Sequence, residues 1–478
     1  MIQRGKRMKK RMKVILCILI LIPLFAWNWH TQKDLPQGMS VDGKLHKVDN
    51  VEFLTDITYQ KNDKAVMEQQ LFERTLQIID EAKEVLVIDL FLYNNDYDHQ
   101  KATYDNRAEQ LTNALIKKRK EQPDMPIQVI TDNVNSGYGS IHPQFFQDLA
   151  AQNIDVLTTN LTPLRDSNPL YSSVWRAYLQ WWPVSTNGFL PNLFNPDGDK
   201  MSVGAYFDLV NFKANHRKIV LNEQEAMVLS ANVSHDGSSL HSNIGFVVKG
   251  AIVKDIYESE NAILHMSDKK LPENIVFAAD EPAGDIDVKL VTEGKIQQAL
   301  IQTIEHAKDG DSLKIGVFYI AERDMVQALK DAAKRGVNIQ LILDANRDAF
   351  GIKKNGVPNR PVAHELMKED NITVRWYDTH GEQYHSKFLI LNQADTFTAI
   401  GGSANFTRRN IDDYNLETDL YMMMPKEKET ARDMNAYFER LWTNQDGIYT
   451  VDYEEFADRS LWKTVLYRIQ EFTGLSTF

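Results

Sequence analysis

Cysteine is nearly missing from this 478-residue chain, where Cys17 is the only one. A lone thiol excludes an intrachain disulfide and a thiolate metal site. Its position inside an apolar run reads as one more apolar residue of a membrane segment. No His-Glu-x-x-His run exists, and His235 and His241, six apart in a predicted loop, read as solvated. Low-complexity tracts are absent as well. With 43% hydrophobic and 25% charged residues, the chain can build a large core, as two domains or two halves of one. Basic excess is lacking outside the extreme N-terminus. The net charge is −12, the first 13 residues contribute +7, and the remainder carries −19. So acidic a body suits nucleic acid poorly, and no nucleic-acid partner is expected.

Residues 1–30 stand apart from the rest. Seven cations from Arg4 to Lys13 precede an apolar run from Val14 to Trp27. A basic segment followed by an apolar one is an export signal. The run falls short of the roughly 20 residues a bilayer span needs, but Trp27 and Trp29 can extend it as interfacial anchors. No A-x-A-like cleavage site follows, which favours an uncleaved anchor. The expected location is the cell membrane, with the N-terminus inside and the body extracytoplasmic, or secreted if the segment is cleaved.

Two distant stretches repeat one pattern. His216-Arg217-Lys218 leads through an apolar run to Ser230-Ala231-Asn232, and His385-Ser386-Lys387 leads likewise to Ser403-Ala404-Asn405. Residues two apart on a strand share a face, so each His and its Lys point the same way. Two imidazoles and two ammonium groups gathered at one site suit attack on a phosphate ester.

The repeat is wider than the motifs. Val85–Phe91 matches Leu313–Phe318, Ile127–Asp132 matches Ile339–Asp344, and Asn153–Leu157 matches Asn371–Arg375. Helical stretches, Ala108–Arg119 and Met325–Arg335 among them, alternate with these strands. Such alternation predicts an α/β fold of two pseudo-symmetric halves, each a mixed, mostly parallel sheet flanked by helices, with one active site between them. The halves are read as 50–280 and 285–445, followed by an amphipathic extension over 446–478. In the extension, Leu461, Trp462, Val465, Leu466, Ile469 and Phe472 recur at helical spacing and read as a docked terminal helix in preference to a membrane-surface helix. The first half carries an insertion at about 158–210 with Tyr171, Trp175, Tyr178, Trp181, Trp182, Phe189 and Phe194. It reads either as a lipid-facing or substrate-covering element or as a subdomain packing its aromatics inward.

The paired His-x-Lys pattern resembles the phospholipase D superfamily. The second copy, running on through Gly401-Gly402-Ser403-Ala404-Asn405-Phe406-Thr407 to Asn415-Leu416-Glu417, carries most of the likeness. The resemblance spans about residues 50–445. It implies a two-step route through a phosphohistidine without a cofactor or metal. His216 would be the nucleophile and His385 the general acid and base, with Lys218, Lys387, Asn232 and Asn405 on the non-bridging oxygens and Ser230 and Ser403 as further donors. Where the family carries Asp five residues after each Lys, this chain has Glu223 and Asn392, for which a structural role is expected. Glu417 would orient an imidazole, and its counterpart in the first half is Asn243.

The function expected is an exported phospholipid phosphodiesterase or transphosphatidylase of phospholipase D or cardiolipin synthase type. Its partners would be phospholipid and the membrane, reached through the N-terminal segment and the aromatic insertion, and the chain would be a monomer. An extracellular nuclease of the same superfamily and a catalytically silent surface binding protein are the alternatives. A basic cleft would favour the nuclease and an apolar one would count against it.

Overall fold

A computed structural model describes residues 2–100, 103–234, 239–279, 284–349, 352–476 and 478. The N-terminal helix, Ile2–Gln32, runs through both the basic segment and the apolar run. Among the described residues it is the one helix long and apolar enough to cross a membrane.

Strand β1 (His46–Val48) is lent to the second half. The first half contains β2 (Glu52–Lys61), β3 (Lys64–Glu68), β4 (Leu86–Leu90), β5 (Ile127–Thr131), β6 (Asp155–Thr158), β7 (Lys218–Asn222), β8 (Glu225–Leu229) and β9 (Asn243–Lys249). The second contains β10 (Ile286–Thr292), β11 (Ser312–Val317), β12 (Asn338–Asp344), a small hairpin of β13 (Asp348–Ala349) and β14 (Ile352–Lys353), β15 (Ile372–Tyr377), β16 (Lys387–Asn392), β17 (Thr396–Gly402), β18 (Thr418–Pro425) and β19 (Thr450–Asp452). The sheet orders are β3-β2-β9-β8-β7-β4-β5-β6 and β1-β10-β18-β17-β16-β11-β12-β15-β19. Seven consecutive strands of each correspond one to one, β2 with β10 through β6 with β15. The sequence repeat is thus a fold repeat.

The sheets are mixed, but the expectation of mostly parallel pairing is corrected. Only β4-β5-β6 and β11-β12-β15 run parallel, and the other pairs of both sheets are antiparallel. Neighbouring strands are joined by helical crossovers only in those parallel sets. After each motif strand the chain returns by a tight hairpin, as between Asn222 and Glu225, and a tight hairpin can only make antiparallel neighbours.

The central strands are buried on both faces, with alternate residues serving different cores. Leu86, Ile88 and Leu90 of β4 meet the outer helices Leu71–Glu81 and Arg107–Glu121, while Val87 faces the core between the halves. On β16, Leu389 and Leu391 face outward and Phe388 and Ile390 inward. The inner core is filled by helices Ile252–His265 and Glu429–Thr443, which pack across onto β10 and β2 of the opposite halves. This exchange makes the halves one body.

The C-terminal helix, Leu461–Thr473, departs from expectation. It docks through Tyr467 and Glu471, which are buried, while Leu461, Trp462, Val465, Ile469 and Phe472 face outward. Aromatics of the insertion divide likewise. Trp175 is buried with its indole N–H on Asp208 at 2.9 Å, whereas Trp181, Trp182 and Phe189 are exposed.

Arg217, between the first His and Lys, is fully buried. It donates to Glu293 at 2.7 Å, Glu260 at 3.0 Å and the Ser259 hydroxyl at 2.7 Å. Glu293 also accepts from the Glu417 amide at 3.1 Å. Replacing Arg217 by Met would strand two buried carboxylates, so Arg217→Met is expected to cost about 3–5 kcal/mol of stability. Denaturant unfolding of the variant against the parent measures it.

Candidate active site

Each motif lysine opens its strand. Register sets Lys218 opposite Leu90 and Lys387 opposite Val317, at the C-terminal ends of β4 and β11. The histidines therefore stand just past the sheet edge, where α/β sheets hold their ligands. An aspartate ending the neighbouring strand fastens the backbone ahead of each. Asp132 accepts from the Asn215 amide at 2.8 Å, and Asp344 from the Tyr384 amide at 2.9 Å.

The halves then clasp each other. The His216 amide donates to the Leu416 carbonyl at 2.9 Å, and the Leu416 amide to Ala214 at 3.0 Å. In the mirrored contact, the His385 amide donates to Ser242 at 2.8 Å and the Ser242 amide to Gln383 at 3.0 Å. The residue following each clasp reaches the other half's imidazole. Glu417 lies 2.8 and 3.0 Å from Nδ1 of His216, and the Asn243 carbonyl oxygen lies 3.1 Å from Nδ1 of His385. The amide group of Asn243 donates to the His241 carbonyl at 3.1 Å, so its oxygen is the atom turned to His385. In both rings the proton sits on Nδ1, leaving the Nε2 lone pair for chemistry.

The predicted serines serve the orienting residues. Ser230 donates to Asn243 at 3.1 Å and Ser403 to Glu417 at 2.5 Å. This corrects the expectation that they donate to substrate. Lys218 and Lys387 are fully buried, and each donates to its own histidine's carbonyl at 2.6 Å. The Asn232 carbonyl accepts from the Leu92 amide at 3.3 Å, while the Asn405 carbonyl is buried with no hydrogen-bond partner among the described residues. Glu223 accepts from the Lys83 and Glu84 amides, and Asn392 pairs with Asn435 at 3.0 Å. Both lie at the far ends of their strands, away from the histidines.

Burial is the largest influence on every charge here. It holds His216 well below the ordinary imidazole value, with Lys218 and Lys387 adding to the effect. His385 is lowered by burial, then by Lys387, His241, Lys218 and His216. Lys218 is drawn down to about 7 by burial, against the pull of Glu417, Asp89, Asp132 and Asp419. Lys387 falls well below its usual value, through burial and then Lys218. Each half's groups thus act on the other's, as one site requires. Burial pushes the Glu417 carboxyl up, opposed by Lys218, Ser403 and Asn410. Ser403, Asn410 and His216 all donate to it, so geometry keeps it an acceptor.

Sequence reading missed several members of this site. Phe91 and Phe318 follow β4 and β11, with ring centroids 4.8 Å from His216 and 5.3 Å from His385. Lys218 and Lys387 sit over the same two rings. These phenylalanines close the matched repeat segments, so the signal was in the sequence. Asn410, on the short helix Arg408–Ile411, has no repeat partner and gave none. His241 is also corrected. It is buried, accepts from the Gln383 amide at 3.2 Å, and its ring lies 5.8 Å from that of His385. His241 thus packs against the second half, where solvation was expected. His235 lies outside the described residues. Among the described residues, no group of His, Cys, Asp and Glu is arranged to hold a metal ion.

A family model described as cardiolipin synthase, PLD-like domain, matches residues 300–442. No curated protein matches the sequence. Among solved structures, phosphatidylserine synthase of Haemophilus influenzae Rd KW20 is similar in fold, with TM-score 0.51 and 11% identity over 90% of this chain and 94% of that one. A phospholipase D family member, NUC from Salmonella typhimurium, matches 34% of this chain over 98% of its own at 17% identity and TM-score 0.27. The matched segment contains the second His-x-Lys unit, and the fold repeats that unit's architecture around the first. Residues 300–442 are thus similar to a phospholipase D-like domain, and the whole chain shares its fold with that phosphatidylserine synthase.

Proposed function

We propose that this protein is a membrane-anchored phospholipase D-type enzyme that moves or hydrolyses the head group of a phospholipid diester through a phosphohistidine. The observation that carries this reading is the crossed pair of imidazoles, each held at Nδ1 by the opposite half and both within the field of two buried lysines. His216 is the nucleophile because attack through Nε2 leaves its ring cationic, and Glu417 stabilises that charge. His385 is the acid because an amide, unlike a carboxylate, does not hold its proton. In the first step the Nε2–phosphorus bond forms and the phosphorus–oxygen bond to the leaving alcohol breaks, while His385, which takes up a proton at Nε2 as the anionic diester binds, gives that proton to the leaving oxygen. In the second, neutral His385 takes the proton of water or an acceptor alcohol, whose oxygen displaces His216. Lys218, Lys387, Asn232 and Asn405 hold the non-bridging oxygens.

Lipid is favoured over nucleic acid by the phenylalanines beside both imidazoles and by the insertion. Its helix Pro169–Val174 packs along the N-terminal helix, and the Tyr178 hydroxyl donates to the Leu19 carbonyl at 2.5 Å. Contact with the apolar run supports the lipid-facing reading of the exposed Trp181 and Trp182. The cationic end of that helix would lie inside and the catalytic body outside. The family model's name supports transfer between lipids as one form of the reaction.

Three outcomes test this reading. With phosphatidylglycerol vesicles the full chain should release glycerol or form cardiolipin, and single-stranded DNA should stay intact. His216→Ala should lose about 10⁴-fold or more in turnover. In acid-quenched His385→Ala, mass spectrometry should find a phosphatidyl adduct on the peptide containing His216. An adduct on His385 in the His216 variant would reverse the two roles.

The carboxylate also has a measurable share. Glu417→Gln should keep the fold but lower kcat by about 10²–10⁴-fold, the range seen when an imidazole loses its orienting carboxylate. Binding of an inert dianion should raise proton affinities that burial has lowered. With Lys218 near 7 and Lys387 and both imidazoles below their usual values, sulfate binding at pH 7 is expected to take up protons. Calorimetry in buffers of different ionisation enthalpy reads the uptake, and its absence would sink the electrostatic account.

A further inference from the structure

The C-terminal helix Leu461–Thr473 is amphipathic the wrong way round for a docked element. At 100° per residue, Leu461, Phe472, Val465, Ile469 and Trp462 cover an arc of about 100°, and they are 82, 75, 51, 52 and 67% exposed. Polar contacts hold the opposite side. Tyr467 is buried, and its hydroxyl accepts from Arg323 at 2.5 Å. Glu471 accepts from the Arg408 amide at 2.8 Å, Arg468 pairs with Glu365 at 2.9 Å, and Arg408 donates to the Phe472 carbonyl at 2.9 Å. The helix is thus fixed firmly while its apolar side stays exposed among the described residues. A face of this size on a body otherwise rich in charge marks a binding surface.

What covers it follows from its neighbours. The helix ends at Gly474, which abuts Ser167 and Asn168, so closely that a Cβ at 474 would lie 1.7 Å from the Ser167 carbonyl oxygen. Arg409 ties the same junction, donating to the Gly474 carbonyl at 2.6 Å and the Phe212 carbonyl at 2.8 Å. Residues 167 and 168 lead straight into Pro169–Val174, the helix that packs along the N-terminal helix and exposes Leu170 and Val174. The outward apolar face therefore continues, through one junction, the surface that borders the apolar run.

We propose that the C-terminal helix is a membrane-surface element, lying in the lipid–water interface with Leu461, Trp462, Val465, Ile469 and Phe472 in the acyl-chain boundary. This goes beyond the reaction proposed above and rests on that reading only in taking the N-terminal helix as the membrane span. The helix gives the body a second foothold, joined through Ser167 and Asn168 to the part of the insertion that meets the anchor. It also fixes the body's orientation, because two contacts with one plane remove the rotation that a single span allows. The foothold is joined to the chemistry. Arg408 and Arg409 grip the helix, and the next residue, Asn410, donates to Glu417, the carboxylate behind His216.

Cys17 is the only cysteine, so the full chain carrying Cys17→Ser takes single labels cleanly. An environment-sensitive fluorophore is attached at Val465→Cys or Phe472→Cys, with Asp124→Cys on the loop before β5 as control. Each protein is reconstituted into phosphatidylcholine–phosphatidylglycerol vesicles whose acyl chains carry bromine. Loss of fluorescence at 465 and 472 but not at 124 is expected. Labels at 465 and 472 as wet as the control would overturn the proposal. So would labels shielded from water yet unquenched by the lipid, with the shielding lost on dilution among empty vesicles, since a second copy would then cover the face. Turnover of phosphatidylglycerol by the same samples separates the two claims. Quenching without turnover leaves the helix proposal standing and the reaction reading failed, and turnover without quenching does the reverse.

Discussion

The site depends on a pair of backbone clasps between the halves. Within either half alone, a His-x-Lys motif opens a strand beside its own lysine and asparagine but has nothing behind its ring. The carboxylate or amide that fixes Nδ1 comes from across the pseudo-twofold axis, and it arrives only because Leu416 bonds to the backbone around His216 and Ser242 to that of His385. Duplication thus did more than supply a second histidine. Each repeat became the orienting shell for the other, so neither imidazole is set for chemistry until both halves have folded and docked.

Docking makes the electrostatics severe. Two lysines and two histidines are withdrawn from water in one place, and a charge moved to low dielectric is expensive unless it is paired. The surrounding acids, Glu417, Asp89, Asp132 and Asp419, offset part of this for Lys218. The remainder appears as lowered proton affinity on all four basic groups. A site in this condition is short of negative charge, and a phosphodiester supplies it. The same burial that weakens the empty site's cations makes them respond strongly to an anionic ligand, since little solvent screens the pairing.

Much of this was legible in the sequence, because the repeat encodes the geometry. Matched segments marked the strands β4, β5, β6, β11, β12 and β15, and the histidines, lysines and asparagines of both motifs converge. The antiparallel strands were less legible. β2 and β10 lack a motif, and β1 and β19 are three-residue edges whose pairing is decided by tertiary contact. Hidden in the same way were the crossing of Glu417 to His216, a choice between two equivalent imidazoles, and Asn410, whose value depends on a short helix with no counterpart. Burial was least readable. His241 looked like a loop residue and is packed against a catalytic candidate. The C-terminal helix has the periodicity of a docked helix and presents that stripe to the outside. Periodicity tells which residues share a face, and only the body's shape tells which way the face turns.

The one conspicuous break in the symmetry, Glu417 against Asn243, suits the two-step transfer proposed above. Two carboxylates would bind the protons of both rings tightly and leave a poor acid, and two amides would leave the developing imidazolium without a counter-charge. A carboxylate behind one ring and an amide behind the other pushes their proton affinities apart within a shared field, and acid–base pairs are assigned by such a difference. The glycine pair carried by the second copy alone belongs to the same asymmetry. A Cβ at Gly402 would lie 2.3 Å from the Thr418 carbonyl oxygen, so β17 can approach β18 closely where Ser403 and Glu417 meet. The first copy supports only an amide in the equivalent place and has Leu229 there. The departures between the copies therefore concentrate around one ring's counter-charge, while the lysines, asparagines and serines of the motif are kept in each.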